Sequence, residues 1–332
     1  YSRFGNFVLG PLRLLMCWFL LPALLVKIRR FPTLRQAGKA AERIFLAVNF
    51  RAFELGRPLP NLHSPSSLND KIQWCKLFDQ QQEAVRLTDK VTAKEWVAER
   101  VGAEFTVPTL AVFRNPAELS PTAWKALPER FVLKSSHDSG STLLVDRSLP
   151  RSKQAILQWM DDRSRLTYGL PGAEWPYWEI QPAFVAEPLI GEDGQLATDY
   201  KFHCSMGKVR FIQVISDRVS GGTEAIFDSN GRRLQQQLDL NFKFDNHRTT
   251  ISGLKKMKQV ATSLASGWKY VRVDLYYSAP RVLFGEMTFF PYEGFYKGDG
   301  QKELGALLPI DTSSVRSTCC RALGILEWIS GH

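Results

Sequence analysis

A chain of 332 residues, 44% apolar and 23% charged, is long enough for two or three packed subdomains and has a folded globular protein's make-up, excluding fibrous and disordered classes. The net charge of +10 is concentrated. Residues 1–50 hold Arg3, Arg13, Lys27, Arg29, Arg30, Arg35, Lys39 and Arg43 against Glu42 alone, so the other 282 residues carry only +3, which excludes a nucleic-acid-binding surface spread over the fold.

The same N-terminus is the most apolar part of the chain. Phe7 to Val26 is long enough to span a bilayer, but Arg13 interrupts it and Pro11 and Pro22 weaken a straight helix. No small-residue cleavage site follows; Lys27-Ile28-Arg29-Arg30 does, which argues against a cleaved secretory signal. Three readings stay open: a helix lying on the anionic inner face of the cytoplasmic membrane, a helix buried in the protein or a dimer contact, and a true span. The first makes this a cytoplasmic protein held peripherally at the membrane surface.

The five cysteines (Cys17, Cys75, Cys204, Cys319, Cys320) lack metal-ligand spacing and read as reduced thiols in a cytosolic compartment. The five histidines form no His-x-x-x-His pair, so zinc catalysis is not supported. Neither Gly-x-Ser-x-Gly, Walker A nor Gly-x-Gly-x-x-Gly occurs.

In chain order, Phe31–Phe53 reads as a basic helix, ended by the Pro-, Asn- and Ser-rich loop 56–67. Ser67 is placed to cap a helix through Ile72, Trp74 and Phe78, and Thr88 to cap another over 89–100, closed by Gly102. A strand over 107–113 and a helix near 118–126 follow. Phe131-Val132-Leu133-Lys134 is a buried-looking strand ending in a lysine, and 143–145 returns as its partner. The intervening loop, Ser135 to Thr142, carries hydroxyls and Gly140. Such a loop either wraps a phosphate with backbone N–H groups and hydroxyls or is an ordinary polar hairpin. Strands are expected over 184–190, 199–204 and 208–215, the last two joined through Met206-Gly207. Helices are expected over 251–264 and within 301–330.

The most informative stretch is 271–288. Val271, Val273 and Leu275 alternate with Arg272 and Asp274, Ser278-Ala279-Pro280 is turn chemistry, and Val282–Thr288 is a second apolar run. Pairing about that turn puts Asp274 opposite or diagonal to Glu286 and Arg272 near Thr288. Two carboxylates about 5 Å apart repel each other. Either a hard divalent cation holds them together or they face solvent on a surface hairpin.

Set together, these pieces resemble the ATP-grasp superfamily, in particular the TupA-like branch met in bacterial surface-polysaccharide gene clusters. The resemblance runs from about Leu68 to about Phe295. It is carried by Leu68-Asn-Asp-Lys-Ile-Gln-Trp74, Thr88-Asp-Lys90, Phe131-Val-Leu-Lys134, His137-Asp-Ser-Gly-Ser141, Ala186-Glu187, Asp199-Tyr-Lys-Phe202, Ser216-Asp-Arg218, Val271-Arg-Val-Asp274 and Gly285-Glu-Met-Thr288. It implies an α+β ATP-grasp fold, two α/β subdomains clasping the nucleotide, with the N-terminal apolar, basic helical segment outside it. The boundaries expected are 1–66 for that segment, 67–127 for a helical and α/β subdomain, 128–190 for the lid subdomain, and 191–332 for the subdomain with the metal site.

The resemblance also implies roles. Lys90 and Lys134 reach the nucleotide phosphates, and Ser139, Gly140 and Ser141 close over them. Glu187 sits at the hinge beside the adenine, with Leu189 and Ile190 lining the base. Asp274 and Glu286 hold Mg²⁺, and Arg272, with Lys201, serves the transferred phosphoryl group. The implied cofactors are ATP and Mg²⁺. The implied reaction joins a carboxylate to an amine through an acyl phosphate. Its partners are an acidic glycan or lipid-linked oligosaccharide bearing a hexuronic acid, and an amino acid or amine. Arg210, Arg218, Lys201 and His137 are candidates to hold the acidic sugar. Trp175, Tyr177 and Trp178 either stack on sugar faces or pack a core. Thr288 stands where many members have Asn, which leaves one or two Mg²⁺ ions open. Pro291–Phe295 replaces a more glycine-rich run. A sugar phosphotransferase and an idle scaffold in a glycan-assembly complex are the alternative functions.

Overall fold

The computed structural model describes residues 38–148, 153–191 and 197–313. The apolar run Phe7–Val26 and its basic border, Cys17, Cys319 and Cys320, and the helix expected beyond residue 313 lie outside the described residues. Among the described residues no helix is long and apolar enough to cross a membrane. Residues 51–310 form one compact unit that contains both sheets and every residue of the cavity described below.

The helices are α1 (Gly38–Glu54), α2 (Leu68–Phe78), α3 (Glu83–Thr88), α4 (Thr92–Val101), α5 (Pro121–Ala126), α6 (Lys153–Ser164), α7 (Leu254–Leu264) and α8 (Gln301–Ala306). Ser67 caps α2 as its sequence requires: its hydroxyl accepts from the Asp70 N–H, and the Asp70 carboxylate accepts from the Ser67 N–H. Thr88 does not cap a helix over 89–100. It ends α3, Lys90 lies in the linker, and α4 starts at Thr92 and stops at Gly102, whose φ of +114° suits glycine.

A four-stranded antiparallel sheet, in the order β1 (Ala111–Phe113), β4 (Phe184–Pro188), β2 (Arg130–Ser135), β3 (Thr142–Asp146), makes the smaller layer. Phe131 and Leu133 point into a core with Phe113, Leu127, Ile156, Met160 and Phe184. The period of two therefore sends Lys134 to the other face. Glu187 pairs across from Val132, so it shares that face diagonally with Lys134.

The larger sheet runs β11 (Arg281–Thr288), β10 (Tyr270–Ser278), β5 (Asp199–Ser205), β6 (Lys208–Ser216), β7 (Thr223–Asp228), β8 (Arg233–Leu234), with β9 (Lys243–Phe244) also paired to β7. Met206 and Gly207 turn β5 into β6 with φ of +50° and +69°, a hairpin geometry that matches strand twist. Val271, Val273 and Leu275 are fully buried, and α7 covers the sheet with Met257, Val260, Ala261 and Leu264. Each such side chain contributes about 1.5–3 kcal/mol of burial. Arg272, Asp274 and Tyr276 are thereby turned to the opposite face.

Candidate active site

That opposite face is the floor of a cavity of about 570 Å³. Its register is Asp274 against Glu286 and Arg272 against Thr288 on β11, and Asp274 against Lys201 and Tyr276 against Asp199 on β5. The pairing of the two acids depends on a β-bulge. From the turn, Ser278 pairs Arg281 and Leu275 pairs Phe284, a register that would set Asp274 against Gly285. Gly285 is the extra residue, and its insertion moves Glu286 onto the Asp274 face. A Cβ there would lie 3.1 Å from the Asp274 carbonyl oxygen, so glycine suits the close approach.

Arg272 organises this floor. Its Nε donates to Asp274 Oδ1 at 2.7 Å, and its Nη2 to Asp274 Oδ2 at 2.7 Å, Glu286 Oε1 at 3.0 Å and Thr288 Oγ1 at 3.1 Å. Lys201 Nζ reaches Asp274 Oδ2 at 2.6 Å. Burial pushes the Asp274 carboxyl up, but Arg272 and Lys201 outweigh it and hold it below the usual range. Arg218 meets Asp199 at 3.0 Å beside them.

The cavity's second wall comes from the small sheet and the loop after β2, with Lys134, Ser139, Gly140 and Thr142, and from Lys90. Lys134 Nζ pairs with Glu187 Oε2 at 2.6 Å, and Lys94 takes the other oxygen. Burial raises the Glu187 carboxyl, but the two lysines hold it low. Lys90 donates to the Asp138 carbonyl at 2.7 Å; burial lowers its ammonium, with Glu286 and Asp138 opposing.

A third wall holds Arg51, Tyr168, Glu174, Tyr292 and Glu293. Tyr292 and Glu293 have φ of +53° and +57°, a conformation that side chains resist. Contacts hold them there: the Tyr292 hydroxyl donates to Asp239, Arg51 grips the Glu293 carboxylate at 2.6 and 3.0 Å, and Gln73 and Lys76 donate to the Glu293 carbonyl.

The donor set fits Mg²⁺ bound with a phosphate ligand. Asp274 and Glu286 face each other in register, and Glu286 Oε2 lies outside the bonds just described. Mg²⁺ takes one or two carboxylates and leaves the rest to phosphate and water. Among the described residues there is no cluster of three or more metal-binding side chains.

The model of the TupA-like ATP-grasp family matches residues 70–308, well over half of the chain. The chain belongs to that family. No curated protein matches it. Among solved structures it is similar to D-alanine–D-alanine ligase from Bacillus anthracis complexed with ATP, at 13% identity and TM-score 0.37, over 74% of this chain and 62% of that one. It is also similar to the ATP-grasp ligase PsnB complexed with a phosphomimetic variant of its minimal precursor, Mg and ADP, at 12% identity and TM-score 0.39, over 77% and 65%. A third is D-alanine–D-alanine ligase from Helicobacter pylori, at 14% identity and TM-score 0.41, over 74% and 70%. The chain thus spans under two thirds of the length of the first two.

Within this ATP-grasp chain, the residues expected from sequence divide into two groups. Lys90, Lys134, Ser139, Gly140, Lys201, Arg218, Arg272, Asp274 and Glu286 all line the one cavity. Ser141, Glu187, Leu189 and Ile190 do not line it. Glu187 meets it only through Lys134, since its carboxylate is 4% exposed and occupied by two lysines. Two candidates for the sugar are corrected. His137 is buried between Ser135 and the Arg163 carbonyl, with its ring edge-on to Phe184, and does not line the cavity. Arg210 donates to the Ser205 hydroxyl at 3.0 Å and lies outside it as well. Trp175 packs beside Phe290, Tyr177 meets Tyr168 edge-on, and Trp178 is exposed; none lines the cavity. Sequence reasoning missed Arg51, Tyr168, Glu174, Tyr292 and Glu293. No spacing links these distant residues, and the one local signal was Pro291–Phe295, which differs from the more glycine-rich run that the resemblance implies.

Acid should loosen this site. Asp274 and Glu187 both titrate below their unfolded values in the fold. The stability they contribute is complete above about pH 4.5 and is lost as pH falls through their lowered folded values. Thermal melts are expected to drop below about pH 4 from the loss of these two carboxylates, while the raised Glu174 carboxyl acts with the opposite sign, its contribution being lost as pH rises toward about 7. A melting temperature unchanged down to pH 3 would contradict the ion-pair assignments.

Proposed function

We propose that this chain is an ADP-forming ligase that activates a carboxylate with ATP and passes the acyl group to an amine, the carboxylate being a uronic acid of an acidic glycan. The observation that carries the reading is the meeting of two halves in one cavity. Lys90, Lys134 and the Ser139–Gly140 loop offer a phosphate cradle, and the bulge-aligned Asp274–Glu286 pair offers a cation site beside Arg272.

The chain's own groups divide the work. Lys134 and Lys90 carry point charges to the phosphates, and the Ser139–Gly140 loop supplies N–H groups and a hydroxyl. Asp274 and Glu286 would hold Mg²⁺, which when bound would supply positive charge beside the phosphoryl group. Arg272 is fixed by its own carboxylate contacts and is preorganised against the same charge. Arg218, and Lys297 on the cavity wall, are cations that suit a sugar carboxylate. Positioning and electrostatics then account for the rate, since phosphoryl transfer asks little covalent chemistry of the protein.

Trapping with hydroxylamine tests the reading. Glucuronate and galacturonate glycosides with ATP, Mg²⁺ and hydroxylamine are expected to give hydroxamate and ADP in equal amounts. ADP release with a phosphorylated sugar and no hydroxamate would replace the ligase by a phosphotransferase.

A further inference from the structure

An amine attacks an acyl phosphate only as the free base, so a ligase must accept a proton from the incoming ammonium. Five carboxylates line the cavity: Glu174, Asp199, Asp274, Glu286 and Glu293. Four are engaged. Asp199 is paired with Arg218, Asp274 with Arg272 and Lys201, Glu286 with Arg272, and Glu293 with Arg51. Among the described residues, Glu174 is the cavity carboxylate that belongs to no ion pair. It is 4% exposed. The nearby Lys76 ammonium is directed elsewhere, donating to the Gly172 and Glu293 carbonyls at 2.7 Å each.

Glu174 is also placed near the chemistry. Glu174 and Tyr168 line the same cavity as Ser139 and Gly140 of the loop expected over the transferred phosphate, so an amine beside Glu174 would share that cavity with the activated carboxylate.

We propose that Glu174 is the base that takes the proton from the amine co-substrate; the inference rests on the ligase reading above. The ammonium gives one proton to the Glu174 carboxylate. The freed lone pair forms the C–N bond at the acyl carbon, the C–O bond to phosphate breaks, and the second N–H proton leaves with the phosphate. The products are the amide, inorganic phosphate and a protonated Glu174 that returns its proton to solvent. Burial raises the Glu174 carboxyl above the usual range, with Lys76 opposing and Glu293 reinforcing, which suits a group that must exchange a proton near neutrality. The charged and titratable groups facing it are Lys76 from α2, Arg51 from α1, Glu293, and Tyr168 and Tyr177 on its own segment.

The test compares amide and hydroxamate formation in wild type, Glu174→Gln and Glu174→Asp. Hydroxylamine is already neutral near neutral pH and needs no base, whereas glycine, alanine and ethanolamine do. Glu174→Gln is expected to lower amide formation about 10²-fold or more while leaving hydroxamate within a few-fold of wild type. The wild-type amide rate should rise with pH along a limb that Glu174→Gln lacks, and Glu174→Asp should restore part of the rate. Undiminished hydroxamate shows that the fold and the activation step are intact. Equal amide rates in wild type and Glu174→Gln would overturn the Glu174 assignment alone. Loss of both products in Glu174→Gln and Glu174→Asp would also overturn it, making the residue structural. No hydroxamate from wild type would overturn the ligase reading and this inference with it.

Discussion

A Glu286→Gln protein is expected to fold normally and to lose Mg²⁺-dependent ATP turnover by about 10²–10³-fold, the size of effect seen when one preorganised electrostatic group is removed. The substitution keeps shape and an acceptor oxygen for Arg272 and Thr288, which bond Glu286 Oε1 at 3.0 and 2.9 Å. The Glu286 side chain is 30% exposed, so losing its charge costs the fold only about 1 kcal/mol. The cation site, in contrast, keeps one carboxylate of two. Titration with Mn²⁺ in the presence of ADP should show weakened metal binding independently of turnover. Wild-type Mn²⁺ affinity and wild-type ADP release together would remove Glu286 from the metal set.

Arg272→Met should be the most destabilising single change in the site, at about 3–5 kcal/mol in urea unfolding, because it strips a buried carboxylate of its main partner. Arg272 is 5% and Asp274 3% exposed, and three guanidinium contacts to carboxylates vanish together. Lys201 remains on Asp274, which keeps the loss finite. Pairing Arg272→Met with Asp274→Leu should recover part of the stability, since the orphaned charge is then gone and Lys201 still has Asp199 at 3.6 Å. Strict additivity of the two single losses would refute the coupling. The same reasoning makes Asp274→Asn a poor metal probe. It keeps the size of the side chain but discharges the group that Arg272 and Lys201 are paired with.

The small sheet shows how far a local pattern reaches. Phe131 and Leu133 are core residues and Lys134 is not, because a strand alternates faces whatever surrounds it. Ser67 capped its helix for an equally local reason. Thr88 misled because a threonine before a helical run reads as a cap, whereas the folded chain ends α3 there and starts α4 at Thr92. His137 misled in another way: a histidine in a hydroxyl-rich loop looks available, yet Ser135 and the Arg163 carbonyl take both ring nitrogens once the chain closes.

The β10–β11 hairpin marks the boundary between the two kinds of information. Alternation in 271–275 alone determined that Arg272 and Asp274 share a face, and the turn at 278–280 determined that β11 returns beside it. Neither could say whether Glu286 lies opposite Asp274 or diagonal to it. A regular ladder pairs Asp274 with Gly285, and only the bulge at Gly285, seen in the folded register, brings the second carboxylate to the first. The third wall was beyond the sequence altogether. Arg51, Tyr168, Glu174 and Glu293 come from segments up to 242 residues apart, and what joins them is the free energy of burying charge, which exists only once the chain has closed around it.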